Sequence, residues 1–327
     1  MPGVGLGGGG AIGLAIETTL GTYVPPTVWV PIISEQFRYV ENRYFSPQLR
    51  QQVMVSDVKQ GFYHIEGTVN FEVDTKFLPY FLYASRHTVT KSGAGPYVYK
   101  AVPNKMASVQ SPAKSLSLSA IRNDVLFGYA GCVVGQYEFT IEDGVLRCAM
   151  NMLGESQNTP AGPFTPSWSD PDLLGADAHA IFVASDFGAT PTFGAASTDF
   201  NGITLTINHN PTAENRIRKD RSASYIAFHE TELGFSTELD FIDKTEYNNF
   251  VSTLQRGIKL ESTQGAVDFA TSTDGFKAQL NRFAYETYDV DLPGLGDIIM
   301  AGATGRGLSV SGGDAYELHC KSVTNIT

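Results

Sequence analysis

The chain has 327 residues, 42% of them hydrophobic and 17% charged, with a net charge of −11. This composition supports real cores and excludes an acidic disordered tail, and the length fits two ordinary domains or one large β-rich one. The acid excess disfavours nucleic-acid binding by phosphate neutralisation, which needs a basic patch, but it is compatible with a surface past which nucleic acid slides without sticking.

The chain opens with six glycines among residues 3–10. Gly3, Gly5 and Gly8 fit G-x-G-x-x-G, but only Met1 and Pro2 precede them, so no strand leads into a dinucleotide-binding turn. The glycines read as an arm, and AIGLAIETTLGTYVPPTVWVPI reads as an extended segment that docks on something. A long polar segment follows at 37–61. Alternation then predicts strands at 65–74, 115–121 and 135–142. DTKFLPYFLYASRH (74–87) predicts a helix capped by Asp74, with Pro79 near its first turn. Residues 155–199 carry five prolines and predict a long extended connection, within which LLGADAHAIFVAS has strand composition. Strands are predicted again at 201–208, 233–241 and 285–292, with a second long polar segment at 208–228. A helix is predicted over 243–257, with Asp243 as N-cap, Glu246 completing a capping box and Gly257 closing it.

The order of parts occurs twice: strand, long loop, strand, helix, strands. Phe71 aligns with Leu239 at an offset of 168, Phe81 with Phe250 at 169, Phe139 with Tyr288 at 149 and Gly144 with Gly294 at 150. This divides the chain into an arm (1–34), a first domain (35–154), a linker or arm (155–199) and a second domain (200–327). Alternation puts Glu66, Glu72, Glu138 and Glu142 on polar strand faces in the first half, and Glu232, Glu238, Asp240, Asp289 and Asp291 in the second. Lys and Arg are nearly absent from these faces. They gather in or beside the long loops as Arg38, Arg43, Arg50 and Lys59, then Arg216, Arg218, Lys219 and Arg221. Loops of one sign and sheet faces of the other suggest self-association.

No motif argues for an enzyme. HETEL (229–233) lacks the second histidine of a zinc helix, and neither a G-x-S-x-G elbow nor a phosphate-binding G-x-x-x-x-G-K-[ST] loop is present. The six histidines are scattered singly. Cys132, Cys148 and Cys320 have no C-x-x-C spacing and read as free thiols of a reducing compartment. No catalytic residue, metal site or cofactor is expected. The N-terminus lacks a basic n-region, and no apolar run spans a bilayer, so neither export nor membrane insertion is expected.

The arm carries a further signal in Gly13, Ala15, Glu17-Thr18, Gly21-Thr22, Pro26-Thr27 and Ser34-Glu35. This order resembles the opening of the tail tube (major tail) proteins of long-tailed phages. GPYVYKAVP (95–103), SLSLSAIR, and Tyr129, Gly131 and Cys132 before a β-hairpin resemble that family as well. The resemblance implies a mainly β fold of two tandem tube-type β-sandwich or barrel domains, each with one flanking helix, joined into rings around a continuous inner barrel. It implies an acidic lumen that conducts DNA during ejection without binding it specifically. Candidate lumen residues are Glu66, Glu72, Glu138, Glu142, Glu238, Asp240, Asp289 and Asp291. Candidates for ring stacking are Arg43, Arg50, Arg216 and Arg218. Two tube domains per chain imply a trimeric, pseudo-sixfold ring, and a second half serving as decoration implies six chains. The implied partners are further copies, the tape-measure protein, the tail terminator and baseplate proteins, in a virion tail assembled in the host cytoplasm. The alternatives are another virion β-protein, such as a decoration or baseplate component, and a carbohydrate-binding β-sandwich.

Overall fold

A computed structural model describes residues 10–47, 54, 57–104, 114–160, 164–168, 174–175, 179–217, 220–264, 268–290 and 298–326. In the first half the elements are β1 (Ala11–Ile16), β2 (Val28–Val30), β3 (Ser34–Glu41), β4 (Tyr44–Phe45), β5 (Val58–Lys59), β6 (Tyr63–Glu72), α1 (Leu78–Tyr83), β7 (His87–Ser92), β8 (Tyr97–Pro103), β9 (Leu116–Arg122), β10 (Val125–Glu142), β11 (Val145–Gly154) and β12 (Ser156–Asn158). In the second they are β13 (His179–Val183), β14 (Phe200–Asn208), β15 (Pro211–Glu214), β16 (Tyr225–Phe228), β17 (Glu232–Asp240), α2 (Thr245–Val251), β18 (Arg256–Thr263), β19 (Gly275–Val290), β20 (Met300–Gly307) and β21 (Tyr316–Ser322).

Both helices are shorter than their sequence windows. Pro79 has no N–H and is tolerated only in the first turn, so α1 begins at Leu78. The Asp74 carboxylate accepts the Lys76 N–H at 2.8 Å in the turn before it. Ahead of α2, Asp243 accepts the Thr245 N–H at 2.6 Å. Glu246 closes no capping box, because it accepts hydrogen bonds from Arg256 Nη2 at 2.5 Å and the Tyr285 hydroxyl at 2.8 Å. Gly257, expected as the helix stop, lies in β18.

The segment 208–228 is not a loop throughout. The apolar run Tyr225–Phe228 forms β16 and pairs with β15, burying Ile226 and Phe228 against Val133. The bulge residue Gly135 lets this hairpin approach, since a Cβ there would lie 2.3 Å from Pro211 Cγ.

The arm docks through a buried carboxylate. β1 pairs with β9 along its whole length, and Glu17 at its end accepts hydrogen bonds from the Gly21 N–H (2.8 Å), the Gly131 N–H (2.9 Å) and the hydroxyls of Ser115 and Ser117. The serines of SLSLS therefore face inward beneath the arm, where Ser117 Oγ also accepts the Val24 N–H.

Eight antiparallel strands lie in one row, in the order β3, β6, β11, β10, β14, β17, β20, β19. Within the row each half contributes four strands in the same relative order. β10 and β19 are long and run on into outer groups. The first half of β10 joins β9 and β12, and β9 carries β1 and β2. The first half of β19 joins β18 and β21, with β13 beyond β18 and the β8–β7 hairpin beyond β21. The hydrophobic core fills the space between the inner row, the outer groups and α1.

Irregularities fall at matching places in the two halves. Gly135 is the extra residue where β10 meets β11, and Glu286 where β19 meets β20. The upstream shifts lie between Tyr129 and Cys132, and between Leu280 and Phe283. All give an offset of 151. The cross-strand row Phe71–Cys148–Phe139 then matches Leu239–Ala301–Val290. The sequence pairing of Phe139 with Tyr288 is thus two residues out of step. A two-residue slip preserves the face of every side chain, so alternation cannot detect it.

Candidate functional site

One face of the inner row is buried and the other carries the polar residues of every strand. Glu66, Glu72, Glu138, Glu142, Glu238, Asp240 and Asp289 all stand on this open face, on β6, β10, β17 and β19, brought together from both halves. Asp291 lies outside the described residues. Between the acids runs a neutral band, with Thr140 and Thr204 hydroxyls 3.2 Å apart and those of Thr287 and Thr304 2.7 Å apart.

The face is less uniformly acidic than strand-by-strand reading suggests. Arg38 on β3 donates to Glu66 with Nε at 2.6 Å, Arg147 on β11 pairs with Glu142, and Arg306 on β20 lies 3.9 Å from Glu286. These arginines sit on strands whose neighbours the sequence did not identify. Glu138, Glu238 and Asp289 remain exposed, with no ion pair among the described residues. Acids still outnumber bases on the face.

The loop arginines are held within the chain. Arg43 Nε lies 3.2 Å from Glu41, whose other oxygen takes Arg221 Nη1 at 2.6 Å. Arg221 also stacks on Tyr63, and its carbonyl accepts the Tyr63 N–H. Arg216 stacks over Tyr225, 5.0 Å from the ring centre. Arg50 and Arg218 lie outside the described residues. Arg221 was visible only as one basic residue among several; its part in joining the two loop regions depends on their meeting in space. Around them Tyr44, Phe45, Val58 and Ile217 are exposed.

Sequence reasoning also missed the polar cluster where the two halves meet. His87 Nε2 lies 2.7 Å from the Tyr316 hydroxyl, and its ring meets that of His209 edge-on at 5.0 Å. Burial lowers the His87 pKa to about 3, although its contact with the Leu82 backbone opposes the shift, and burial likewise lowers that of His209. Cys132, Cys148 and Cys320 are free and buried, and burial pushes each thiol up. Such thiols are poor nucleophiles.

This face is a broad polar sheet surface. Among the described residues no cluster of ligating side chains could hold a metal ion. The sequence matches the family model of the phage tail tube protein over residues 7–312. The chain belongs to this family. No curated protein matches it. A phage tail tube protein is a structural component of the virion tail that assembles with copies of itself and meets other tail proteins. The mainly β architecture agrees with that role, and no helix among the described residues is long and apolar enough to cross a membrane.

Proposed function

We propose that the chain is two tandem tube units and that three copies close a pseudo-sixfold ring, whose inner barrel presents the acidic face to the lumen. The observation that carries this reading is the inner row: each half supplies four strands in one order, with bulges at matching positions. A closed ring of such rows has no exposed edges, which removes the aggregation hazard of a long open sheet. Glu138, Glu238 and Asp289, with the neighbouring acids, keep the passing phosphate backbone in solution, because like charges repel at close range. The loops bearing Arg43, Arg50, Arg216 and Arg218, with the exposed Tyr44, Phe45 and Ile217, form the contact to the next ring. The arm stays seated on β9 of its own chain rather than on a neighbouring subunit, and the virion tail is assembled in the host cytoplasm.

Electron microscopy of the purified protein over a concentration series tests the assembly. Stacked rings of three chains are expected, and a closed dimer would refute the reading. Replacing Glu138 and Glu238 together by Lys should leave tubes intact and slow DNA ejection, read as delayed genome release. Normal infectivity from such tails would remove the electrostatic role.

A further inference from the structure

The chain contains one junction between its halves and presents the two surfaces that would make a second. Inside the chain, β10 pairs with β14, setting Tyr137 opposite Ile207, Glu138 opposite Thr206 and Phe139 opposite Leu205. Among the described residues, the ladder of β3 pairs only with β6, with Arg122 of β9 also donating to the Phe37 carbonyl at 2.9 Å, and the ladder of residues 284–290 of β19 pairs only with β20. β3 occupies in the first half the place of β14 in the second, and β19 the place of β10. Matching β6 to β17 at the offset of 168 aligns Phe37 with Leu205.

Some residues buried at the internal junction have exposed equivalents at these edges, while Phe37 and Tyr288, the equivalents of Leu205 and Tyr137, are already covered at 5% and 8% exposure. Ile207 is 0% exposed and its equivalent Tyr39 is 39% exposed. Phe276, 0% exposed, has Val125 at 55% as its equivalent at the same offset of 151. Leu78 and Leu82 of α1 are 0% exposed, while Tyr247 and Val251 of α2 are 43% and 62% exposed. α1 leads in from Thr75, which donates to Asp274 of the second half at 3.1 Å. α2 lies on β19 at the outer edge of the row and buries none of its residues.

We infer that a second copy of this chain docks at these edges in the register of the internal junction, with Asp289 of one copy directly opposite Arg38 of the next. The inference rests on the ring reading above and supplies its register. The same transfer sets Tyr288 opposite Tyr39 and Val290 opposite Phe37. It brings Val290 against Val125 of the next copy, as Phe139 meets Phe276 inside the chain with ring centres 4.6 Å apart. Opposite charges then face each other across the new seam where the internal one has Glu138 beside Thr206, and opposite-charge cross-strand pairs favour one register over its neighbours.

The test is oxidative cross-linking of the full chain carrying Arg38→Cys and Asp289→Cys. Within one copy these positions sit at the two ends of an eight-strand row, on the order of 34 Å apart at the usual strand spacing. A disulfide needs Cα atoms within about 7 Å, so any bond joins two copies. The three native thiols are buried. Expected is a covalent ladder ending at three chains, formed only under assembly conditions. Val40→Cys or Gln36→Cys combined with Asp289→Cys are controls for a two-residue slip. Rings that link through a control pair and not through 38 and 289 overturn the register and leave the ring standing. A chain that gives no rings in the microscope and no link overturns both. As a second reading, Arg38→Asp or Asp289→Arg alone should raise the concentration needed for assembly about tenfold, equivalent to about 1.4 kcal/mol, and the two together should bring it back down. No recovery in the double variant counts against the pair.

Discussion

The two helices make the same connection in the two halves and meet opposite surroundings. α1 buries Leu78, Pro79, Phe81 and Leu82 beside the junction between the halves, whereas α2 buries none of its residues. The residues of α1 are apolar almost throughout, LPYFLY, and those of α2 are mixed, TEYNNFV. The comparison teaches that exposure here follows position in the row rather than secondary structure. The element with a neighbour in the same chain is sealed, and the element at the end of the row is not.

Variants at equivalent sites test that difference. The largest effect should come from Phe276→Ala, which removes a ring fully buried against Phe139. The cost should be about 3–5 kcal/mol in chemical denaturation, while Val125→Ala at the open edge should stay within about 0.5 kcal/mol for the isolated chain. Equal losses at the two sites would end the distinction between junction and edge.

The two docked segments offer a second comparison. Glu17 follows β1, and Asp186 follows β13 at the offset of 169 that the β9 and β18 registers give. Glu17 is buried with donors on both oxygens, whereas Asp186 is exposed and accepts the Thr192 N–H at 2.7 Å. Glu17→Ala leaves buried donors unpaired and should cost about 3 kcal/mol, against about 1 kcal/mol for Asp186→Ala. Measured unfolding of both variants checks the contrast.

The last expected effect is the pH response of the junction. His87 is held neutral in the folded chain, with its pKa lowered from 6.5 to about 3, and His209 shifts in the same direction. The groups around His87 are Tyr316, His209, Tyr137 and Ser85. Because the unfolded chain binds the proton first, this stability is fully present above pH 6.5 and is lost as pH falls from there towards 3. The slope for one histidine approaches about 1.4 kcal/mol per pH unit. Unfolding free energies measured from pH 8 to pH 5 should fall below pH 6.5, and His87→Gln should flatten part of that slope. A flat profile in the unmodified chain would refute the assignment.

Much of the site was legible in the sequence because a strand assigns its faces by alternation alone. Glu66, Glu138 and Glu238 required no knowledge of their neighbours to be placed on a polar face. Arg38 and Arg147 were not placed there, because their pairing with Glu66 and Glu142 depends on which strands lie side by side. The Pro79 helix start was legible for a local reason, the missing N–H. The failed capping box at Glu246 was not, since Arg256 and Tyr285 reach that carboxylate from other strands.

The sequence by itself determined the β class and the face of each predicted strand, both properties of short windows governed by periods of two and by local backbone chemistry. Only the tertiary structure decided that the eight strands run in one row, that the offset on the long strands is 151, and that α1 is sealed while α2 lies open. These depend on hydrogen-bond pairing between residues distant in the chain, and a register shift of two residues leaves every local pattern unchanged.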